Sequence, residues 1–317
     1  MKKTDDTIFI NRSPWPSGRQ VLAVSLGSAA YLIVSALLIG YKTDQLFLTL
    51  LFNVLFYLSA ATRRFILAFL VFIVFWVIFD SMKAFPNYNF NTIHTGELYQ
   101  AEKSVFGIGS GAEVLTPNEY AERHTSVFLD VMTGLFYINW IPVPLLFGFY
   151  LFRKNKAQFL QFSLAFLFVN LLGFVVYYAY PAAPPWYVQQ YGFEVHFNTP
   201  GNTAGLARFD AFFGLPIFHS LYAKSSNVFA AMPSLHSAYP VVVLYFGLKN
   251  RLGLINIFFA VFMLGIWFSA VYSGHHYVLD VLAGITCALT GLLLFDRVLL
   301  KQSWFQKFLV QYGKLIT

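Results

Sequence analysis

The chain has 317 residues, of which 58% are hydrophobic, 20% aromatic and only 11% charged, with a mean hydropathy of +0.61. The charged share is less than half the roughly 25% typical of soluble domains, which excludes a water-soluble globular core and predicts an all-α polytopic membrane helix bundle. A net charge of +7 requires no nucleic acid when basic loops face anionic lipid, and the single Cys287 excludes an intrachain disulfide or a cysteine-built metal site.

Residues 1–19 mix Lys2, Lys3, Asp5, Asp6 and Arg12 with two prolines and read as a solvated cytoplasmic tail rather than a secretory signal. Crossing the bilayer as a helix takes about 20 apolar residues. Eight segments are candidates, near 20–41, 45–62, 65–81, 129–152, 157–180, 233–249, 254–273 and 277–297. The second and third are short and flank Arg63-Arg64, as in a tight helical hairpin or a single interfacial excursion. Residues 20–298 form one transmembrane catalytic domain on this reading. Residues 299–317 form a cytoplasmic tail whose Lys301, Lys307 and Lys314 alternate with Trp304, Phe305 and Phe308, a pattern suited to the membrane interface.

With eight spans and a cytoplasmic N-terminus, 15 of the 21 Lys and Arg fall on the cytoplasmic side and 6 on the other, as the positive-inside rule requires. Two long segments, 82–128 and 181–232, are then non-cytoplasmic. The first holds Glu97, Glu102, Glu113, Glu119 and Glu122 and reads as a solvated cap with one or two interfacial helices.

Three polar motifs share that side. His236 opens the sixth span, His276 and Asp280 open the eighth, and Pro181-Ala182-Ala183-Pro184-Pro185-Trp186-Tyr187 follows the fifth. The i, i+4 spacing of His276 and Asp280 puts both on one helix face, where the carboxylate can orient the imidazole and leave its other nitrogen nucleophilic. The alternative for Asp280 is an acid favoured by the helix macrodipole. His236 alone would read as a hydrogen-bonded helix-entry residue. Together with His276 it supplies the acid that a transfer reaction needs beside its nucleophile. His275 points to another helix face. A zinc site on His236, His276 and Asp280 is the competing reading, and no His-Glu-x-x-His pattern supports it.

Pro233-Ser234-Leu235-His236 resembles the second signature of the type 2 phosphatidic acid phosphatase superfamily, and Ser269-x6-His276-x3-Asp280 resembles its third. More closely, the stretches 183–187, Ala204-Gly205-Leu206-Ala207-Arg208-Phe209-Asp210, Ala231–Ser237 and His275–Asp280 are similar to the inositol phosphorylceramide synthase branch, as is His124-Thr125-Ser126-x2-Leu129-Asp130. The likeness runs from about residue 95 to 290. It implies a six-helix phosphatase-like core, a nucleophile at His276, an acid/base at His236, an orienting Asp280, and transfer of phosphoinositol from phosphatidylinositol to ceramide with release of diacylglycerol. Arg208, Ser234, Asp210 and Tyr187 lie in the same motifs and are the candidate substrate contacts.

Two departures matter. The third signature's Arg is Ala270 here, and the first signature, Lys-x6-Arg-Pro, is missing. A site with few cations suits a singly charged phosphodiester better than a phosphomonoester. Arg208 is the best remaining clamp for phosphoryl oxygens, with an ion pair to Asp210 as its structural alternative and Lys224 as a weaker second cation. The expected activity is therefore a lipid phosphotransferase using a phospholipid donor, a lipid-alcohol acceptor and no cofactor. A lipid phosphate phosphatase is the alternative, and a non-enzymatic transporter or scaffold a more distant one. A bacterial inner membrane with the site facing the periplasm is expected, or a Golgi-type membrane with a luminal site.

Overall fold

The computed structural model describes residues 15–110, 113–223 and 227–317. Residues 1–14 of the N-terminal tail and Lys224 lie outside the described residues. Among the described residues, regular structure is helical, and β pairing is limited to three isolated bridges.

Each of the eight apolar segments forms a helix. These are α1 (Gly18–Ile39), α2 (Thr43–Leu58), α3 (Ala60–Ser81), the pair α6 (Val127–Ile138) and α7 (Pro142–Lys154), α8 (Lys156–Ala179), α12 (Leu235–Lys249), α13 (Ile255–Tyr272) and α14 (Val278–Arg297). The loops add α4 (Gly96–Phe106), α5 (Pro117–Arg123), α9 (Pro185–Tyr191), α10 (Ala207–Phe213) and α11 (Ile217–Tyr222), and α15 (Ser303–Ile316) closes the chain. Among the described residues, five helices are long and apolar enough to cross a membrane, and six if α6 and α7, bent by 42°, count as one span. The expected count of eight is thus approximate. α2 has 16 residues and α12 has 15, short of a full crossing. The α6–α7 break follows from Pro142 at the first position of α7, where the ring supplies no N–H to continue the preceding helix.

Two compact units divide the chain at Leu70. In the first, residues up to Leu70 with 315–317, Asn53 Nδ2 donates to Ser28 Oγ at 2.8 Å and joins α2 to α1. Leu22, Leu26, Leu37 and Leu50 leave broad apolar faces exposed, as lipid-facing helices do.

In the second unit, residues 71–314, α12 packs against α13, α14, α8 and α7. Its Val241, Val242, Val243 and Phe246 are buried, so it is apolar on every side, the pattern of a helix enclosed by others. Gly284 of α14 permits the closest approach. A Cβ there would stand 2.1 Å from the carbonyl oxygen of Ser234, which a backbone atom cannot vacate.

The two long loops are stitched together around Ala182. Its N–H donates to the Phe229 carbonyl at 2.9 Å and its carbonyl accepts from Ala231 at 3.2 Å, while the neighbouring Pro181 and Ala183 bond the backbone of His94 at 2.8 and 3.0 Å. Buried Asn87 donates to the carbonyls of Tyr177 and Phe229, both at 2.8 Å, and accepts from Asn227. These bonds fix where Ala231 sits, and Ala231 touches the site.

Candidate active site

His236 is the second residue of α12. Ser234 caps that helix by accepting from the Ser237 N–H and hydroxyl, and the Ser234 N–H donates to the Asp280 carbonyl at 2.9 Å. The start of α12 is thereby locked to the first turn of α14. Between α13 and α14 the chain reverses at Gly274, whose φ of +73° lies in the left-handed region that glycine adopts freely. The amides of His275 and His276 both fold back on the Ala270 carbonyl, at 3.2 and 3.0 Å.

The two rings meet. His236 Nδ1 lies 3.3 Å from His276 Nε2 and 3.3 Å from the Tyr137 hydroxyl. His276 Nδ1 lies 3.0 Å from the Ala231 carbonyl oxygen. A carbonyl can only accept, so Nδ1 carries the proton and Nε2 presents a lone pair to the site. Burial pushes His276 from its ordinary 6.5 down to about 4, with the Ala231 bond pulling the other way, so the ring is neutral near pH 7.

Asp280 is fully buried, yet its Oδ2 is 3.7 Å from His276 Nδ1, beyond hydrogen-bond reach. The same oxygen accepts the Tyr277 N–H at 2.8 Å. The i, i+4 spacing does bring acid and imidazole together, but the direct orienting bond comes from Ala231. Asp280 stands beside the ring and, through the Tyr277 N–H, holds the first turn of α14.

A cavity of about 130 Å³ opens beside the pair, lined by His236, His275 and His276 together with Tyr137, Trp186, Tyr222 and the amides Asn202 and Asn227. Among the described residues, no Lys, Arg, Asp or Glu lines it. Trp140 meets the His236 ring edge to face at 4.5 Å, and Tyr222 stacks on His275 at 4.4 Å. His275 Nε2 is tied to the Thr203 carbonyl at 3.0 Å, a wall position rather than a second nucleophile.

Four sequence-predicted contacts do not reach this cavity wall. Arg208 pairs through Nε with Asp130 Oδ1 at 2.6 Å and lies over the Tyr272 ring, so its partner is Asp130 and not the nearer-in-sequence Asp210. Asp210 instead accepts the N–H groups of Phe218 and His219, at 3.0 and 2.9 Å, and anchors α11. Tyr187 is buried, donates to the Glu194 carbonyl and accepts from the His196 N–H. Ser234 is spent on the α12 cap. No group of three His, Cys, Asp or Glu able to hold a metal occurs among the described residues. Sequence reasoning missed Tyr137, Ala231 and Asn118. The Asn118 side chain donates to the carbonyls of Val271 and His276, both at 2.8 Å, and pins the turn that carries the nucleophile candidate.

Residues 118–294 match the family model of the PAP2 superfamily. That span covers more than half of the chain and contains both histidines and Asp280. The chain belongs to the PAP2 superfamily. Within it, the chain is 46% identical over 304 residues to a phosphoinositol dihydroceramide synthase of Bacteroides thetaiotaomicron, covering 95% of this chain and 99% of that one. It is also 31% identical over 183 residues to an inositol phosphorylceramide synthase of Candida albicans, covering 54% of this chain and 38% of the relative. A third relative is the inositol phosphorylceramide synthase catalytic subunit of Saccharomyces cerevisiae, 35% identical over 118 residues, 37% of this chain and 29% of that one. No solved structure matches. The paired histidines of this PAP2 member sit where its matched region brings the starts of α12 and α14 together.

Proposed function

We propose that this protein is a membrane lipid phosphotransferase that moves a phosphoinositol head group from a glycerophospholipid to ceramide, dihydroceramide or a similar lipid alcohol. The observation that carries the reading is the meeting of two imidazoles at 3.3 Å beside a cavity with no described cationic lining. A phosphodiester bears one negative charge and tolerates such a wall, whereas a dianionic phosphomonoester would call for several cations. The near full-length similarity to a phosphoinositol dihydroceramide synthase supports the same substrate class.

In the first step His276 Nε2 attacks phosphorus and the bond to the diacylglycerol oxygen breaks. His236, entering this step as the imidazolium, gives its proton to that oxygen and becomes neutral, leaving diacylglycerol and a phosphohistidine that holds the head group. In the second step His236 takes the proton of the incoming lipid hydroxyl, whose oxygen attacks phosphorus as the P–N bond breaks and His276 is restored. The nitrogens already touch, so phosphorus enters from the cavity rather than between the rings. Catalysis then rests on placement, since both steps are in-line displacements. The site faces the periplasm of a bacterial inner membrane, or the lumen in a Golgi-type membrane.

The test uses purified protein in mixed micelles with head-group-labelled phosphatidylinositol. Label should move into a ceramide product only when ceramide is present. Release of inorganic phosphate from phosphatidic acid without label transfer would make the protein a lipid phosphate phosphatase instead.

A further inference from the structure

We infer that Glu102, on the short loop helix α4, is a positioning residue for the nucleophile, acting through the first turn of α14. The inference rests on the reading of His276 given above. Glu102 is fully buried although it belongs to an otherwise amphipathic helix in a polar loop. Its Oε1 accepts the Val278 N–H at 2.9 Å and its Oε2 accepts the Leu279 N–H at 3.0 Å. A helix start leaves its first N–H groups without intrahelical partners, and the residue at the cap position here is Tyr277, whose side chain makes no capping bond. Asp280 reaches back to the Tyr277 N–H. Glu102 takes the next two from a place 176 residues earlier in the chain.

Two buried carboxylates therefore hold three consecutive amides directly after His276. Burial raises the Glu102 pKa, while the two amide bonds and the positive end of the helix dipole favour its charged form. On the other side, the His276 N–H is held by Ala270 and its carbonyl by Asn118. The turn that carries the nucleophile is thus held from both sides, and Glu102 and Asn118 are the two side-chain anchors that the 82–128 loop supplies to it. An error of about 1 Å in the attacking atom can cost on the order of 100-fold in rate, so the Glu102 anchor bears on turnover more than on lipid binding.

The experiment compares Glu102→Gln and Glu102→Ala with the wild type in the micelle assay, measuring kcat and KM per amount of folded, monodisperse protein. Gln keeps the shape but retains one acceptor, since its amide nitrogen would oppose an N–H. The expected result is a kcat about 10-fold lower for E102Q and about 100-fold lower for E102A, with KM for the donor changed less than about 3-fold. A kcat within about 2-fold of wild type for folded E102Q overturns the inference. So does a loss confined to the yield of folded protein, or a failure of both variants to fold, because either assigns Glu102 to structure alone. A wild type that transfers no label fails the functional reading itself, an outcome separate from an active wild type indifferent to Glu102.

Discussion

The Nδ1 of His276 lies 3.0 Å from the carbonyl oxygen of Ala231, a residue of the loop that leads into α12. One backbone oxygen therefore sets the tautomer of the ring whose other nitrogen faces His236. Truncating that ring removes the nucleophile proposed above. His276→Ala should reduce label transfer to the level without enzyme. His236→Ala should lower it by about 10²–10⁴-fold, the range for loss of a general acid. Residual transfer by His276→Ala above background in the micelle assay would contradict the assignment.

Tyr137 contacts His236 from α6, and its hydroxyl is also bonded to Tyr222. Tyr137→Phe keeps the ring in its buried place and deletes only the oxygen 3.3 Å from His236 Nδ1. One hydrogen bond of about 1 kcal/mol corresponds to a factor of about 5, so kcat should drop by roughly that amount. An unchanged kcat would assign the hydroxyl to Tyr222 alone.

Burial of His275 and His276 links stability to pH. In the unfolded chain both take up protons near 6.5, while in the fold they do so near about 3 and about 4. Between 6.5 and about 4 the unfolded state thus binds more protons. Stability rises with pH across that window and falls as pH is lowered through it. Denaturation midpoints in detergent at pH 7 and pH 5 should show the drop. His276→Asn should make it shallower by up to one proton, and an identical slope in the variant would rule His276 out as a source.

How much of this was legible in the sequence follows from what kind of contact each feature uses. The helices announced themselves as apolar runs, although 129–152 reads as one span and its break at Pro142 emerged only in the structure. His276 and Asp280 are four residues apart, so local periodicity places them on one face. His236 came from the same logic of span order and sidedness. What the sequence hid are contacts made by backbone atoms or across long loops. Ala231 acts through its carbonyl, which no residue type signals. Asp130 meets Arg208 across 78 positions, and the closer Asp210 was the natural but incorrect partner. Tyr137 is one of 19 tyrosines, and nothing in its neighbours sets it apart. The capping duty of Ser234 was readable in principle, because a Ser just before an apolar helix is a common N-cap.

Gly284 offers a test of the α12–α14 seam. A methyl group there would meet the Ser234 carbonyl oxygen at 2.1 Å, and neither partner is a side chain that can rotate away. Gly284→Ala should destabilise the fold by about 1–3 kcal/mol, the usual cost of overpacking. The same strain separates the helix starts that carry His236 and His276, so kcat should fall with stability. A variant with wild-type melting and turnover would show that the seam yields more readily than its backbone bonds suggest.

Asp130 and Arg208 supply the last prediction. Asp130 Oδ1 accepts from Arg208 Nε at 2.6 Å and from the Tyr272 hydroxyl at 2.8 Å, and both ion-pair side chains are largely buried. Removing one member leaves the other charged and partly desolvated, whereas removing both does not. Asp130→Asn and Arg208→Gln should each lower the denaturation midpoint. The double variant should lose less than the sum, with a coupling of about 1 kcal/mol, since residual exposure screens the pair. The donor KM separates this role from a direct phosphate contact. A guanidinium engaged by Asp130 leaves KM within about 3-fold when replaced, while a clamp on the phosphoryl oxygens would raise it about 10-fold or more, the loss of a charge-assisted bond of about 1.5–3 kcal/mol. A large KM effect with no stability coupling would mean that Arg208 releases Asp130 and turns to the lipid when substrate binds.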